Sequence, residues 1–284
     1  MEKTFVTIDK IKQELLNLKY DNSINSVKFI GGISNENFLI NNKVVLRIPY
    51  FKDSNCSIFP FEMENIAFKN NLGPKLINYS LKTNSKITEY LDGYENICFN
   101  NINDLNLEKI ISAVKVIHNF NPTGYRELDY FKDINLWLKE SKDNEISLKS
   151  KIVQDFLRDF SVIYDILSKE LSHADMLESN ILIKGNDIKI IDFEYSAYTF
   201  KYFDLMSLLS ENNISKDQQK KIIDIYFKDN ITEKETFLQL EKSLHKALDL
   251  YWYSWAISRK CGLEAKDKIF EEIANLKKQS FLNL

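Results

Sequence analysis

The sequence contains few of the residues that usually interrupt or cross-link a polypeptide. Its 284 residues include only 7 glycines, 4 prolines and 3 cysteines. Cys56, Cys98 and Cys261 are widely spaced and odd in number, which argues against a disulfide framework and against a structural zinc site. We expect these thiols to be reduced, as in a cytosolic protein. Because glycine is rare, each glycine inside a motif is more informative than usual.

Long apolar runs and an excess of basic charge are also missing. No apolar stretch approaches the roughly 18 residues of a membrane-spanning helix, and the amino-terminal segment lacks the features of a signal peptide. The formal net charge of -3 gives no overall attraction to nucleic acid or to an anionic membrane. We therefore expect a cytoplasmic protein without a membrane span or a nucleic-acid partner. Nothing in the sequence indicates its oligomeric state.

Short runs of β-forming residues dominate the first 90 residues. Five such runs are SVKFIGG, NFLI, KVVLRI, KLINYS and KITEY, each rich in Val, Ile, Phe or Tyr. Asn41 and Asn42 separate the second run from the third, and asparagine tolerates the positive φ of a tight hairpin turn. Periodic apolar residues also predict a helix near the amino terminus and another, FEMENIAFKNNLG, that ends near Gly73.

After Gly93 the apolar residues follow the spacing of helices. Helical segments are predicted near residues 104–120, 147–168, 203–212, 216–228, 234–259 and 264–281. One β-type interruption contains the runs NILI and IKII, which are joined by the turn sequence KGND. The sequence therefore predicts an α+β protein, with a sheet-rich lobe at 1–91, a mainly helical lobe at 92–284 and a ligand cleft between them.

The segment with the clearest chemical pattern surrounds this interruption. His173, Asp175 and Asn180 have the spacing H-x-D-x-x-x-x-N, and Asp192 follows in the sequence I-D-F-E. Asp175 can accept the proton of a substrate hydroxyl, so it is predicted to be both catalytic and substrate-binding. Asn180 and Asp192 offer the hard oxygen ligands that suit Mg²⁺ beside phosphates, and Asn180 is thus a second predicted catalytic residue. A simple turn cap at His173 and Asp175 would leave the downstream pattern unexplained.

This pattern is similar to the catalytic and metal-binding loops of protein-kinase-like phosphotransferases. The sequence D-F-E-Y-S, in place of D-F-G, resembles the choline/ethanolamine kinase family. The resemblance extends over most of the chain. It implies a bilobal protein-kinase-like fold with a small antiparallel-sheet N-lobe and a mainly helical C-lobe. It also implies ATP and Mg²⁺ as cofactors, choline or a similar amino alcohol as the substrate, and a bracing role for His173.

The turn between the first two β-type runs has the sequence G-G-I-S-N. Two glycines allow backbone N–H groups to approach phosphate oxygens closely, although an ordinary hairpin would use the same turn. The resemblance assigns nucleotide contacts to Gly32, Ser34 and Asn35.

Other residues of the small lobe are also predicted to bind the nucleotide. Arg47 lies on a strand, and its guanidinium suits phosphate oxygens and a carboxylate partner, unless it is a solvated edge residue. Both Glu62 and Glu64 of the following helix qualify as that partner, and Glu62 fits the family spacing better. The resemblance places adenine against backbone groups near Glu89 and Leu91.

Aromatic and acidic residues in the helical lobe suit a cationic substrate. Trp252 and Trp255 are three residues apart on one helix face, where core packing is the other interpretation. Tryptophan ring faces bind quaternary ammonium groups. The resemblance assigns this W-x-x-W pair to the choline site, with Glu194, Tyr195 and Glu211 as further substrate-binding residues.

Three positions depart from the family pattern. Ala174 stands where Asn is usual, Ser179 where Gly is usual, and Arg259 where Gln is common. The first two lie in the predicted catalytic loop. A guanidinium in the pocket would repel a cationic substrate, so we expect Arg259 to point away from it.

Several functions remain open at this point. The preferred one is a choline kinase, and the nearest alternatives are kinases for ethanolamine, thiamine, an aminoglycoside or a sugar. W-x-x-W together with D-F-E-Y favours choline over antibiotics and sugars but separates it poorly from ethanolamine. A nucleotide-binding pseudokinase is disfavoured because Asp175, Asn180 and Asp192 are all competent residue types.

Overall fold

The computed structural model describes residues 6–20, 23–50, 57–139, 141, 143–228, 230–259 and 264–284, with the backbone alone at 264–266. Two cysteines, Cys56 and Cys261, lie outside these residues, and Cys98 is an exposed free thiol. Within the described ranges no helix is long and apolar enough to cross a membrane.

The described elements follow one another in an α+β order. They are α1 (Ile8–Asn17), β1 (Val27–Gly31), β2 (Asn35–Ile40), β3 (Val44–Pro49), α2 (Phe59–Lys69), β4 (Leu76–Tyr79), β5 (Lys86–Glu89), β6 (Glu95–Asn96), α3 (Asp104–His118), α4 (Tyr130–Leu138), α5 (Lys151–Ile166), β7 (Lys169–Ser172), β8 (Ile181–Lys184), β9 (Asp187–Ile190), β10 (Ala197–Phe200), α6 (Phe203–Ser210), α7 (Lys216–Phe227), α8 (Ile231–Ser258) and α9 (Glu264–Asn283).

These elements belong to two compact units. Unit 1 holds the described residues of Met1–Ile97, Phe120–Gly124 and Ser179–Ser196, and unit 2 holds those of Cys98–Asn119, Tyr125–Glu178 and Ala197–Leu284. The boundary predicted at 91/92 thus falls shortly before the first observed one. The later return of two segments to unit 1 was not predicted.

The main sheet of unit 1 is antiparallel, with the order β1-β2-β3-β5-β4. Asn41 and Asn42 join β2 to β3 with φ angles of 53° and 54°, which confirms the predicted tight turn. Helix α1 packs Ile11 and Leu15 into the core cluster that includes Phe38 of β2. The five predicted strands therefore form one sheet with a core covered by an amphipathic helix.

A second, three-stranded sheet of unit 1 has the order β6-β8-β9. The hairpin of β8 and β9 turns at Gly185, whose φ is 61°. The N–H of Ile190 donates to the carbonyl of Leu72, just after α2, at 2.6 Å. This bond ties the hairpin to α2 and explains why residues 179–196 belong to unit 1.

Unit 2 is mainly helical and contains one antiparallel strand pair, β7 with β10. Its core is aromatic: the ring of Tyr130 lies 5.1 Å from that of Phe160 and 6.0 Å from that of Tyr251. The hydroxyl of Tyr130 donates to the carbonyl of Ala247 at 2.9 Å. Burial of such large rings is the main stabilising contribution of this unit.

Candidate active site

The loop after β7 carries His173 and Asp175 in unit 2. The N–H groups of His173 and Ala174 donate to the two oxygens of Asp204 at 2.9 and 2.8 Å. The N–H of Asp175 donates to Nδ1 of His173 at 3.3 Å. Ala174 has a φ of 64°, a left-handed conformation that costs alanine more than the asparagine usual there. One buried carboxylate on α6 therefore fixes the turn that precedes Asp175.

The second half of this loop is also anchored to α6 and to the residues that follow it. The N–H of Met176 donates to the hydroxyl of Ser207 at 3.1 Å, and that of Glu178 to the side-chain oxygen of Asn212 at 2.7 Å. Asn212 donates in return to the carbonyl of Met176 at 2.9 Å. Bonds to a rigid helix hold a backbone loop in one conformation.

Asp204 is fully buried and has a second set of partners. Nε2 of His118 lies 3.0 Å from Asp204, and Nδ1 of the same ring lies 3.2 Å from Glu170. Burial disfavours the charge on Asp204, but the hydrogen bond and charge of His118 outweigh burial and lower the pKa of Asp204. Burial likewise opposes the imidazolium, yet the two carboxylates raise the pKa of His118.

The predicted metal ligands, Asn180 and Asp192, lie in unit 1. Asn180 directly precedes β8 and is buried, and its carbonyl accepts a bond from the N–H of Ile191 at 3.0 Å. Asp192 has a φ of 69° and precedes a 3₁₀ turn, Phe193–Tyr195. The hairpin thus brings the backbone of Asn180 next to the residue before Asp192. An amide and a half-buried carboxylate suit Mg²⁺, which takes oxygen ligands.

An ionic cluster surrounds Asp192. Nη1 of Arg47 lies 2.5 Å from the Asp192 carboxylate, and Nη2 of Arg47 pairs with Glu194. Lys86 is the strand neighbour of Arg47 on β5; it pairs with Glu64 and lies 3.9 Å from Asp192. Two cations and three carboxylates leave one formal negative charge, which a bound divalent cation would offset.

The predicted pairing of Glu62 with Arg47 is wrong. The carboxylate of Glu62 accepts bonds from the N–H and hydroxyl of Thr123 at 2.5 and 2.7 Å and from the N–H of Gly124 at 3.0 Å. Residues two apart on a helix point to nearly opposite sides. Glu62 and Glu64 therefore cannot both face the sheet, and Glu64 is the one that does.

Two residues of the glycine turn donate hydrogen bonds to the carboxylate of Glu194. The hydroxyl of Ser34 donates to Glu194 at 3.1 Å, and the amide of Asn35 donates to the same oxygen at 3.3 Å. Gly32 has a φ of 133°, and an added Cβ would lie 2.2 Å from the carbonyl oxygen of Asn35. Glu194, predicted to bind the substrate, therefore lies among the residues predicted to bind the nucleotide.

The segment predicted to contact adenine begins at the last residue of β5. The N–H of Glu89 donates to the carbonyl of Lys75 at 2.9 Å, and the carbonyl of Leu91 accepts from Tyr94 at 3.3 Å. Contacts with adenine would have to use other backbone groups of this segment.

The W-x-x-W pair lies on α8 in unit 2, and both tryptophans are buried. The rings of Trp252 and Trp255 meet edge to face at 5.7 Å, and the Trp255 ring lies 5.6 Å from that of Phe270. The guanidinium of Arg259 lies over the Trp255 ring at 5.7 Å. Arg259, which we expected to point away from the substrate pocket, therefore lies beside one of the two tryptophans predicted to line that pocket.

Glu211, at the end of α6, is already in an ion pair. Its carboxylate lies 2.6 Å from Nζ of Lys277 and accepts a bond from the hydroxyl of Ser210 at 3.2 Å. Lys277 also lies 3.4 Å from Asp249. Burial raises the pKa of Glu211 above its ordinary value. Tyr195, another residue predicted for the substrate, belongs to unit 1.

Sequence analysis missed several of these residues. Lys86 could have been found from the antiparallel alignment of its strand with that of Arg47. Asp204 follows Asp192 of the D-F-E segment by twelve residues, but no spacing rule links it to His118. Lys277 carries no local signal, because its partners come from two other helices.

Comparisons with known proteins indicate the family of this chain. The family model for choline/ethanolamine kinase matches residues 27–275. Protein LicA of Haemophilus influenzae is 22% identical over 245 residues, which cover 80% of this chain and 71% of that protein. Choline kinase LicA from Streptococcus pneumoniae superimposes with a TM-score of 0.75 at 14% identity, covering 97% of this chain and 99% of that one. An ethanolamine kinase from Plasmodium vivax gives 0.70 at 19%, covering 94% and 87%.

The likeness to these structures confirms the predicted α+β, protein-kinase-like fold. The family match defines an ATP-dependent phosphotransferase that acts on a small molecule. The chain belongs to the choline/ethanolamine kinase family.

Proposed function

We propose that this enzyme transfers the γ-phosphate of ATP to the hydroxyl of choline and releases phosphocholine and ADP. The observation that supports choline is the edge-to-face tryptophan pair on α8. A trimethylammonium group is a weakly hydrated cation that favours aromatic faces. An aromatic surface of this kind suits a substrate with a quaternary ammonium.

In this reaction the oxygen of the choline hydroxyl attacks the γ-phosphorus of ATP, and Asp175 accepts the proton that this hydroxyl loses. The hydrogen bonds from His173 and Ala174 to Asp204 hold the turn before Asp175. The position of Asp175 therefore depends on the buried carboxylate of Asp204. Little reorganisation is then needed when the substrate binds.

Residues of unit 1 bind the nucleotide. Backbone N–H groups at Gly32 and the side chains of Ser34 and Asn35 contact phosphate oxygens. Arg47 exchanges a carboxylate partner for phosphate oxygens, which have the same bidentate geometry. Adenine lies against the segment that contains Glu89 and Leu91.

Asn180 and Asp192 would hold Mg²⁺, because both offer the oxygen ligands that this ion takes beside phosphates. Among the residues that the structure describes, no three His, Cys, Asp or Glu side chains are grouped as a metal site. This fits an ion held jointly by protein and nucleotide. When bound, Mg²⁺ supplies positive charge that offsets the charge of the transferring phosphoryl group.

A coupled assay for ADP release tests the proposal directly. Choline, dimethylethanolamine, monomethylethanolamine, ethanolamine, thiamine, an aminoglycoside and a sugar are compared as acceptors with Mg²⁺-ATP. We expect kcat/KM to be highest for choline and to rise with each added methyl group. A flat or falling methyl series would reject choline while leaving the kinase reaction in place.

Ethanolamine is the second candidate, because the family includes kinases for it and because two poorly solvated carboxylates, Glu211 and Asp249, lie close together in unit 2. Both carboxylates already contact Lys277, which disfavours a second primary ammonium. We also propose that the enzyme acts in the cytoplasm, where ATP is available.

A further inference from the structure

Lys277 of α9 places a primary ammonium between two carboxylates. Its Nζ lies 2.6 Å from Glu211 and 3.4 Å from Asp249. The side chain of Asp249 is fully buried, and those of Glu211 and Lys277 are 10% and 14% exposed. Charges so poorly solvated are strongly coupled, and removal of one partner leaves the others uncompensated.

This ionic cluster is adjacent to the tryptophan pair along the interface of α8 and α9. Asp249 precedes Trp252 by three residues and so lies one helical turn away on the same face. On α9, Phe270 and Lys277 are seven residues apart, two turns along one face. Because Phe270 packs on Trp255 at 5.6 Å, the ionic cluster forms the next layer of the same interface.

The cluster has further charged neighbours. His245 faces Asp249, with Nε2 at 3.6 Å, but burial lowers the pKa of His245 and favours the neutral ring. Lys277 and Lys246 are both cations that act on Asp249. The ammonium of Lys277 has already taken oxygens of Glu211 and Asp249 as hydrogen-bond acceptors.

We infer that Lys277 is a specificity-determining residue, which selects a quaternary over a primary ammonium substrate by occupying Glu211. The inference rests on the proposed function. A trimethylammonium group has no N–H donors, so apolar or aromatic walls can hold it. A primary ammonium has three donors that must be satisfied when it leaves water. By occupying Glu211, Lys277 withholds an acceptor that the primary ammonium needs and that the trimethylammonium group does not.

The test compares the ratio of kcat/KM for ethanolamine to that for choline in variants of α9. Lys277→Met should raise this ratio about tenfold or more, because Glu211 becomes available for a charge-assisted hydrogen bond. Lys277→Arg should keep the ratio near that of the wild type. Lys278→Met is the matched control, since Lys278 pairs with Asp143 and Glu145 of unit 2 and not with Glu211. A ratio that changes equally in both methionine variants would overturn the inference.

The double variant Glu211→Gln/Lys277→Met keeps the net charge and tests the same point if the single variant does not fold. We expect its choline KM to stay within about threefold of the wild type, and its selectivity ratio to stay low. A choline KM raised tenfold or more would mean that Glu211 binds the substrate cation directly, against the inference. A wild-type enzyme without turnover of either amino alcohol would instead reject the proposed function.

Discussion

Substitutions of Asp175 and of its anchor Asp204 should affect activity and stability differently. Asp175 donates its backbone N–H to Nδ1 of His173, whereas the side chain of Asp204 receives two N–H bonds and contacts His118. A substitution of Asp175 should therefore change chemistry and spare the fold, while one of Asp204 should change both.

Asp175→Asn should lower kcat by roughly 10²–10⁴-fold, because the amide cannot accept the hydroxyl proton. The KM for ATP should change little. Steady-state kinetics provide the measurement, and thermal unfolding serves as the control for folding. A folded variant with near-normal turnover would show that another group is the base.

Lys86 and Glu64 are both buried, so their pair is sensitive to the loss of one partner. Lys86→Met should lower the free energy of unfolding by about 3 kcal/mol, since it leaves the Glu64 charge buried and unpaired. The double variant Lys86→Met/Glu64→Leu should recover much of that loss. Urea unfolding of the three proteins measures both effects, and a double variant less stable than either single one would contradict the prediction.

At the scale of elements, hydrophobic periodicity predicted most of the fold. The five β-type runs became β1 to β5, and each helical segment predicted after Gly93 contains a helix. The short strands β7 and β10 and the nine-residue helix α4 were missed. Segments of this length complete few turns or alternations, so tertiary contacts decide their structure.

The site could be predicted only where the residues carry a local motif. Asp175, Asn180 and Asp192 were predicted from their spacing, and their roles stay predictions. The error at Glu62 came from counting residues to Gly73 without considering the helix face. The partners Lys86, Asp204 and Lys277 depend on contacts between distant elements, which the sequence does not encode locally.

His118 couples helix α3 to the catalytic loop through Asp204. Glu170 of β7 faces the other ring nitrogen, and Lys115 and Tyr226 are the further titratable neighbours. Because the folded-state pKa of His118 is raised, its contribution to stability is complete below the ordinary value of 6.5. That contribution is lost as the pH rises through the folded-state pKa.

His118→Gln keeps a neutral donor for Asp204 but removes the charge. The variant should lose more unfolding free energy at pH 6 than at pH 9, by on the order of 1 kcal/mol. The contribution of Asp204 to stability has the opposite pH dependence. Because the pKa of Asp204 is lowered, its contribution is present above the ordinary pKa of an aspartate and is lost only at more acid pH. Urea unfolding at the two pH values measures the difference, and an equal loss at both would rule out a charged His118.

For the whole molecule, the two units carry different kinds of chemistry. Unit 1 contains the glycine turn, Arg47 and the acidic residues around Asp192, which suit phosphates and a divalent cation. Unit 2 contains the proposed base and the tryptophan pair, which suit an amino alcohol. Substitutions in unit 1 should therefore change the KM for ATP, and substitutions in unit 2 should change the KM for the amino alcohol.

Trp255→Leu in unit 2 should raise the choline KM by about 3–30-fold and leave the ATP KM unchanged, because leucine keeps an apolar side chain but lacks the π face. Arg47→Met in unit 1 should do the reverse, since it removes a bidentate phosphate ligand. Trp137→Leu is the matched aromatic control: this third tryptophan packs on Tyr251 at 5.1 Å and should affect stability more than either KM. If Trp255→Leu instead lowered stability and left the choline KM unchanged, the tryptophan would be a core residue, and the aromatic recognition of choline would have to lie elsewhere.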